Sequence, residues 1–136
     1  MFSSTTPIRI HYALTDQMGV VYHGHYAQFY EIGRTEALRQ LGVTYKDIEA
    51  LGIIMVVVDI HTRFLLPARY DDLITVKTTL REFPVGHKIV FYGEIFVEDK
   101  LINASTVTLY ILEAKGMKKS VLPEYIKDKI QPFFST

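Results

Sequence analysis

The chain has 136 residues, of which 49% are hydrophobic, and its 15 lysines and arginines balance its 15 aspartates and glutamates. This length and composition predict a single folded domain spanning residues 1–136 with a substantial core, and they exclude a disordered protein. The neutral charge balance disfavours nucleic-acid and anionic-membrane binding, while the lack of cysteine excludes disulfides and thiolate metal sites.

Hydrophobic periodicity predicts one strand and two helices in the first part of the chain. "IRIHYALT", from Ile8 to Thr15, alternates as a strand does. From Gly24 the spacing changes to steps of three and four, which predicts a long amphipathic helix that ends at Gly42. Gly33 lies inside this helix and costs roughly 1 kcal/mol relative to alanine, so we expect the helix backbone to approach the sheet closely there. "VTYKDIEALG" predicts a short second helix capped by Thr44.

Four long strands are predicted after Gly52. The segments "IIMVVVDIHTRFLL" and "LITVKTTLREF" are rich in β-branched residues, and "HKIVFYGEIFVE" and "LINASTVTLYILE" are separated by Asp99-Lys100 as in a hairpin. "LPEYIKDKIQPFF" is predicted to be helical after Pro123, within a tail (residues 114–136) of uncertain order outside the core of about 8–113. The element order predicts an α+β fold in which an antiparallel sheet of about five strands buries the long helix.

The segment "TDQMGVVYHGHY" places one acid and two histidines at the start of the long helix. It fits a metal site, an acid/base site or a turn. On a helix, His23 and His25 diverge by about 200°, so they do not readily share a metal ion, and no thiol or clustered acid completes such a site. We therefore expect no metal and no cofactor.

The longer segment "RIHYALTDQMGVVYHGHY" resembles the signature of the 4-hydroxybenzoyl-CoA thioesterase family of hotdog-fold proteins. "LPARYDDLITV" is a second match, and "FYEIGRTEALRQLG" resembles the central helix of the bacterial acyl-CoA thioesterase subgroup associated with the Tol–Pal envelope system. The resemblance extends from Ile8 to about Glu113. It implies a hotdog fold, with a long central helix wrapped by a curled antiparallel sheet, whose protomers pair edge to edge as a dimer or as a dimer of dimers, a homotetramer.

The resemblance assigns the chemistry to one carboxylate and one helix start. Asp16 is the catalytic carboxylate, acting either as the nucleophile or as the general base on water. The backbone N–H of His23 holds the thioester carbonyl, because a helix start offers unpaired N–H groups and the positive end of the helix dipole. Tyr22 shapes the pocket. The alternative for Asp16 is a turn or cap residue.

Two further groups of residues are expected to contact the substrate. The substrate-binding residues are Gly19, Gly24, His25, Tyr26 and Glu31; for Glu31 the favoured interpretation is an ion pair with Arg34 or Arg63. The CoA phosphates require basic residues at the pocket rim, and the candidates are Arg63, Arg69 and Lys88, followed by Lys115, Lys118 and Lys119. Solvated surface side chains are the alternative for each of these.

The sequence thus predicts a cytoplasmic acyl-CoA thioesterase that hydrolyses an acyl-CoA to a carboxylic acid and CoA. The expected partners are the acyl-CoA substrate and further copies of the chain, with an acyl-carrier protein as another carrier of the acyl group, and with no nucleic acid and no membrane span. The alternatives are a non-catalytic acyl-CoA or acyl-carrier-protein binding or scaffold protein, and a hotdog dehydratase. The acyl preference stays open.

Overall fold

The structure, a computed structural model, describes residues 1–134 and consists of one antiparallel sheet packed on a long helix. The five strands are ordered β1-β3-β4-β5-β2 across the sheet, which confirms the predicted α+β class. The elements are β1 (Phe2–Arg9), α1 (Tyr26–Gln40), α2 (Tyr45–Ala50), β2 (Ile53–Phe64), β3 (Leu73–Leu80), β4 (Lys88–Val97), β5 (Lys100–Glu113) and α3 (Glu124–Ile130). Short 3₁₀ turns occupy Tyr12–Leu14, His23–His25 and Gln131–Phe133.

The first strand lies earlier in the chain than the sequence predicts. β1 pairs with β3 from Phe2 opposite Leu80 to Arg9 opposite Leu73, so the predicted strand Ile8–Thr15 is wrong beyond Arg9. The chain turns away from the sheet there, into the 3₁₀ turn. The alternating pattern predicts the wrong end for this strand, because Ile10 is fully buried while Tyr12, at the next apolar position, is 77% exposed.

Helix α1 approaches the sheet closely at Gly33, as predicted. A Cβ atom built on Gly33 would lie 2.7 Å from Oγ1 of Thr78 and 2.8 Å from Cγ1 of Val76, so no other side chain fits without displacing β3. The predicted cap of α2 is also confirmed, because the Asp47 N–H donates to Oγ1 of Thr44 at 3.1 Å. The close approach at Gly33 holds α1 directly against β3.

Strand β2 forms one edge of the sheet and carries exposed apolar side chains. It pairs with β5 on one side, and a bulge between Val57 and Asp59 leaves Val58 out of the ladder. Because a bulge shifts the alternation by one residue, Val57 before it and Ile60 after it both line the groove beside α1. Val57, Val58, Ile60 and Phe64 are 40–55% exposed in the single chain.

The predicted hairpin and C-terminal helix are confirmed, but the hairpin turn lies one residue earlier than the predicted Asp99-Lys100, because Lys100 already pairs with Val97. Strands β4 and β5 are joined by Glu98 and Asp99, whose positive φ angles of 48° and 68° are those of a tight hairpin turn made without glycine. Helix α3 begins directly after Pro123 and buries Ile126 and Ile130 in the core cluster that contains Leu38. Residues 135 and 136 of the predicted tail lie outside the described part of the chain. Within the described residues, no helix has both the length and the apolar character that crossing a membrane requires.

Candidate active site

A small hairpin leads into helix α1. Thr15 and Val21 form an isolated bridge, the Asp16 N–H donates to the Val20 carbonyl at 2.8 Å, and the Tyr22 N–H donates to the Leu14 carbonyl at 3.1 Å. The turn closes with the N–H of Gly19 donating to the Asp16 carbonyl at 3.0 Å, and the φ of Gly19 is +78°, a conformation that favours glycine. The hairpin therefore turns at Gly19.

Asp16 lies at the first position of this turn and is exposed. Its Oδ1 accepts a hydrogen bond from the Met18 N–H at 2.8 Å, the local contact by which aspartate stabilises a turn. Among the described residues, the second carboxylate oxygen accepts no hydrogen bond. The turn therefore engages one oxygen of Asp16 and leaves the other available for attack on a carbonyl or for proton transfer.

The first turn of the helix presents unpaired backbone donors. Among the described residues, the N–H groups of His23 and Gly24 have no main-chain acceptor, and neither Tyr22 nor His25 caps the turn or the helix with its side chain. The N–H groups at the start of a helix point outward along its axis, where the helix dipole favours negative charge. This arrangement is suited to an anionic oxygen, such as the one that forms when a thioester carbonyl is attacked.

The aromatic ring of Tyr22 covers this first turn. Its centroid lies 4.4 Å from that of the His23 ring and 5.7 Å from that of the His25 ring. A Cβ atom on Gly24 would lie 2.6 Å from Cε2 of Tyr22, so the ring packs closely because position 24 is glycine. Both histidine rings thus contact Tyr22, and no group of three or more histidine, aspartate or glutamate side chains in the described residues is placed to hold a metal ion.

Tyr26 joins the two motifs that the sequence singles out. Its buried hydroxyl accepts a hydrogen bond from the Ala68 N–H at 3.1 Å, and the Ala68 carbonyl accepts one from the Val21 N–H at 2.9 Å. Burial raises the pKa of Tyr26, and the hydrogen bond from Ala68 partly opposes this. Tyr26 is therefore a neutral anchor that holds "LPARYDD" against the helix start, rather than an acid.

An apolar cavity of about 200 Å³ opens beside the helix start. His23, Tyr26 and Phe64 line it, together with Val21 and residues 65–67. The Phe64 ring stands edge-on to the Tyr26 ring at 5.4 Å and to the His23 ring at 6.5 Å between centroids. Asp16 lies outside this cavity, at the turn of the hairpin. The cavity can hold an apolar group next to the unpaired N–H groups.

The three basic residues predicted to bind the CoA phosphates do not converge in one protomer. Arg69 lines a cavity of about 350 Å³ that also contains Lys100 and adjoins the apolar cavity through Leu66 and Pro67. Arg63 lies in a separate depression of about 220 Å³ on the sheet. Lys88 packs over the Tyr110 ring at the start of β4, roughly 30 Å along that strand from the end near Arg69. Of the three, Arg69 alone lies next to the helix-start cavity.

The predicted ion pair of Glu31 is wrong for both partners. Among the described residues the side-chain ion pair is Arg39 with Glu36, at 3.4 Å, and Glu31 pairs with neither Arg34 nor Arg63. The reason is the direction of Arg34, whose guanidinium is buried and hydrogen-bonds the Tyr45 hydroxyl of α2. Burial raises the pKa of Tyr45, and the charge of Arg34 and its hydrogen bond act in the opposite direction. Glu31 lies on the wall of a groove between α1 and the sheet.

The chain is similar in sequence and in structure to proteins that are named thioesterases. The Thioesterase superfamily model matches residues 18–101. The acyl-CoA thioester hydrolase YbgC of Escherichia coli is 34% identical over 121 residues, and the match covers 88% of this chain and 90% of that protein. The acyl-CoA thioesterase YbgC of Haemophilus influenzae is 32% identical over 122 residues, and the match covers 89% of each chain. The solved DHNA-CoA thioesterase from Staphylococcus aureus superposes with a TM-score of 0.89 at 32% identity, covering 98% of this chain and 90% of that one.

Proposed function

The chain belongs to the thioesterase superfamily, and we propose that it hydrolyses acyl-CoA thioesters to a carboxylic acid and CoA, with Asp16 as the reacting carboxylate and the His23 N–H as the oxyanion donor. Its relatives show that it is a thioester hydrolase, and the roles of the individual residues are our proposal. The observation that supports them best is the pair of unpaired N–H groups at the start of α1, beside an apolar cavity and directly after the hairpin that carries Asp16.

Two routes of thioester hydrolysis can use these residues. In the first, a carboxylate oxygen of Asp16 attacks the thioester carbonyl, the C–S bond breaks and CoA leaves as the thiolate. Water then hydrolyses the mixed anhydride, which restores the Asp16 carboxylate, and the proton released from that water goes to the thiolate. In the second, Asp16 removes a proton from water as the water oxygen bonds to the carbonyl carbon, the C–S bond then breaks, and Asp16 gives the proton to the leaving thiolate. Both routes place negative charge on the former carbonyl oxygen, which the N–H groups of His23 and Gly24 stabilise.

Release of free thiol from a panel of acyl-CoAs with short, long and aromatic acyl groups tests this function. We expect turnover of at least one class, with CoA and the free acid formed in equal amounts. The same acyl groups on an acyl-carrier protein show which carrier the enzyme prefers. Tight binding of acyl-CoA without thiol release from any member of the panel would instead identify a binding or scaffold protein. The cytoplasmic location expected from the sequence remains part of the proposal.

We further propose that the chain forms a homodimer through the edge of β2, with a dimer of dimers as the larger assembly. An exposed strand of 12 residues with apolar side chains is an aggregation risk unless another chain covers it. Val58, which the bulge leaves unpaired, lies in the middle of this edge and is 47% exposed. Pairing of two β2 edges would continue the sheet from one protomer to the next and cover Val57, Ile60 and Phe64.

Replacing Val58 with lysine should weaken this dimer at least tenfold, because a charge on a strand edge opposes edge-to-edge pairing. Light scattering during size-exclusion chromatography measures the mass, which we expect to be a multiple of 15.7 kDa for the wild type and to fall towards 15.7 kDa for the variant on dilution. Val85→Lys is the matched control, since Val85 is 81% exposed and lies outside every strand. A V58K variant with the wild-type mass at every concentration would contradict the proposed interface.

A further inference from the structure

The first residue of helix α1 is a buried tyrosine whose hydroxyl reaches a distant segment of the chain. Tyr26 follows His23 by three residues and is 3% exposed. Its hydroxyl accepts a hydrogen bond from the Ala68 N–H at 3.1 Å, and this hydrogen bond is buried. Because α1 carries the proposed oxyanion donors, the hydrogen bond fixes the position of Ala68 relative to those donors.

Ala68 in turn holds the hairpin that carries Asp16. The Ala68 carbonyl accepts a hydrogen bond from the Val21 N–H at 2.9 Å. Val21 forms an isolated bridge with Thr15, the residue that precedes Asp16 in the chain. Two hydrogen bonds and one bridge therefore connect the Tyr26 hydroxyl to the backbone next to the proposed reacting carboxylate.

The segment that contains Ala68 is also fastened at its other end. Within this linking segment (residues 68–72), the Asp71 N–H donates to the Ile10 carbonyl at 3.0 Å, and the Asp72 carbonyl accepts from the Ile10 N–H at 2.9 Å. Ile10 is fully buried and directly follows β1. The linking segment is therefore attached to the end of β1 at one end and to the first residue of α1 at the other, and the hairpin lies between these two points in the chain.

Removing the Tyr26 hydroxyl would leave the Ala68 N–H buried without an acceptor. Ala68 is fully buried and Tyr26 is nearly so, which keeps water from taking the place of the hydroxyl. A buried N–H group without a partner is costly, so the backbone around it shifts towards another acceptor. Such a shift of Ala68 moves the hairpin with it, and a displacement of about 1 Å at the reacting group can cost about 10²-fold in rate.

We propose that Tyr26 is a positioning residue for thioester hydrolysis, whose hydroxyl sets the distance between the Asp16 carboxylate and the N–H groups at the start of α1. This inference rests on the proposed thioesterase function and adds a side chain that acts through Ala68. Hydrolysis needs both groups at one carbonyl, because the carbon is attacked while the N–H groups stabilise the oxygen. The fold therefore has to hold their separation, and the Tyr26 hydroxyl links the segments that carry them.

Steady-state thiol release by Tyr26→Phe tests this role, with the acyl-CoA that the wild type hydrolyses fastest. We expect kcat to fall about tenfold or more, because the carboxylate is displaced. KM should change by less than about threefold, since phenylalanine keeps the ring that lines the helix-start cavity. A raised KM at unchanged kcat would identify Tyr26 as a substrate contact and overturn the proposal.

Tyr30→Phe is the matched control. Tyr30 lies one turn further along α1, is also 3% exposed, and donates its hydroxyl hydrogen to Oδ1 of Asn103 at 2.6 Å. The control therefore removes a buried hydrogen bond of a tyrosine in the same helix, so Tm should fall by an amount similar to that in Y26F. Its kcat should stay within about threefold of the wild type, because the hairpin keeps its attachment. Equal losses of kcat in the two variants would show a general loss of stability and overturn the proposal.

Combining the change with Asp16→Asn separates positioning from stability. If Tyr26 acts by placing the carboxylate, Y26F should lower kcat/KM of D16N by less than about twofold, because there is no longer a charge to place. A structural role of Tyr26 predicts the same proportional loss of kcat/KM in the wild type and in D16N, and this result would overturn the proposal.

Amide hydrogen exchange followed by NMR tests the same link without relying on turnover. In the wild type the Ala68 and Val21 N–H groups should be equally protected, because one opening of the linking segment exposes both. Y26F should raise both exchange rates about tenfold or more, and Y30F should leave them unchanged. If Y26F fails to fold, the wild-type rates still test the proposal, since an Ala68 amide that exchanges much faster than that of Val21 would overturn it.

The failure of this role and the failure of the proposed function give different results. Wild-type protein that releases no thiol from any acyl-CoA would reject the thioesterase function, and with it any role of Tyr26 in the reaction. Full turnover by Y26F, together with unchanged exchange at Ala68 and Val21, would reject the positioning role and leave the thioesterase function intact.

Discussion

Asp16→Asn should lower kcat/KM for thioester hydrolysis by about 10²–10⁴-fold, the usual contribution of an acid or base that acts on the reacting group. The substitution separates two roles that one side chain can play here. Asparagine keeps the oxygen that accepts the Met18 N–H at 2.8 Å, so the turn is preserved. It lacks the negative charge needed to attack a carbonyl or to take a proton from water. Thiol release under saturating and limiting substrate gives kcat and kcat/KM separately.

Two companion variants make this result specific. Asp99→Asn is the same chemical change in the β4–β5 turn, where a φ of 68° suits asparagine, and it should leave hydrolysis unchanged. Asp16→Ala removes both the charge and the hydrogen bond in the turn, so any further loss of kcat/KM relative to D16N measures the contribution of the turn. A D16N enzyme with wild-type turnover would show that Asp16 is a turn residue and that the reacting group lies elsewhere.

The local features of the site could be predicted from the sequence because they depend on neighbouring residues. The change from period two to steps of three and four locates the start of α1, and glycine at position 19 signals a positive φ. The same reasoning fails at Tyr12, where an alternating pattern continues after the strand has ended. Periodicity records which side chains are apolar and cannot show that only Ile10 of this stretch reaches the core.

The contacts that complete the site lie far apart in the chain and leave little trace in it. Ala68 holds both Val21 and Tyr26, but it does so through its backbone, so its side chain carries no signal. In the sequence Phe64 is one more apolar strand residue, and its contact with Tyr26 joins two segments far apart in the chain. The spacing of Arg34 predicts an ion pair with Glu31 on the same helix, whereas in the structure Arg34 is buried and lies beside Tyr45 of α2.

Replacing His23 with proline should lower kcat by about 10²–10³-fold, because it deletes the backbone N–H that donates to the oxyanion. The position accepts proline for three reasons. In the described residues this N–H has no main-chain acceptor, so no backbone hydrogen bond is lost. His23 is the first residue of a 3₁₀ turn, where the φ of proline is suitable. Tyr22 has a ψ of 133°, in the range that a residue before proline adopts.

His23→Ala is the matched variant, since it removes the imidazole and keeps the N–H group. If the amide is the functional group, H23A should lose less than tenfold in kcat, while H23P loses far more at an unchanged Tm. Equal losses of kcat in the two variants would show that the functional group is the imidazole ring, which packs against Tyr22 and Phe64. Wild-type turnover in both would show that the start of α1 does not hold the thioester carbonyl. The comparison isolates a single backbone hydrogen-bond donor, which side-chain substitution at this position leaves in place.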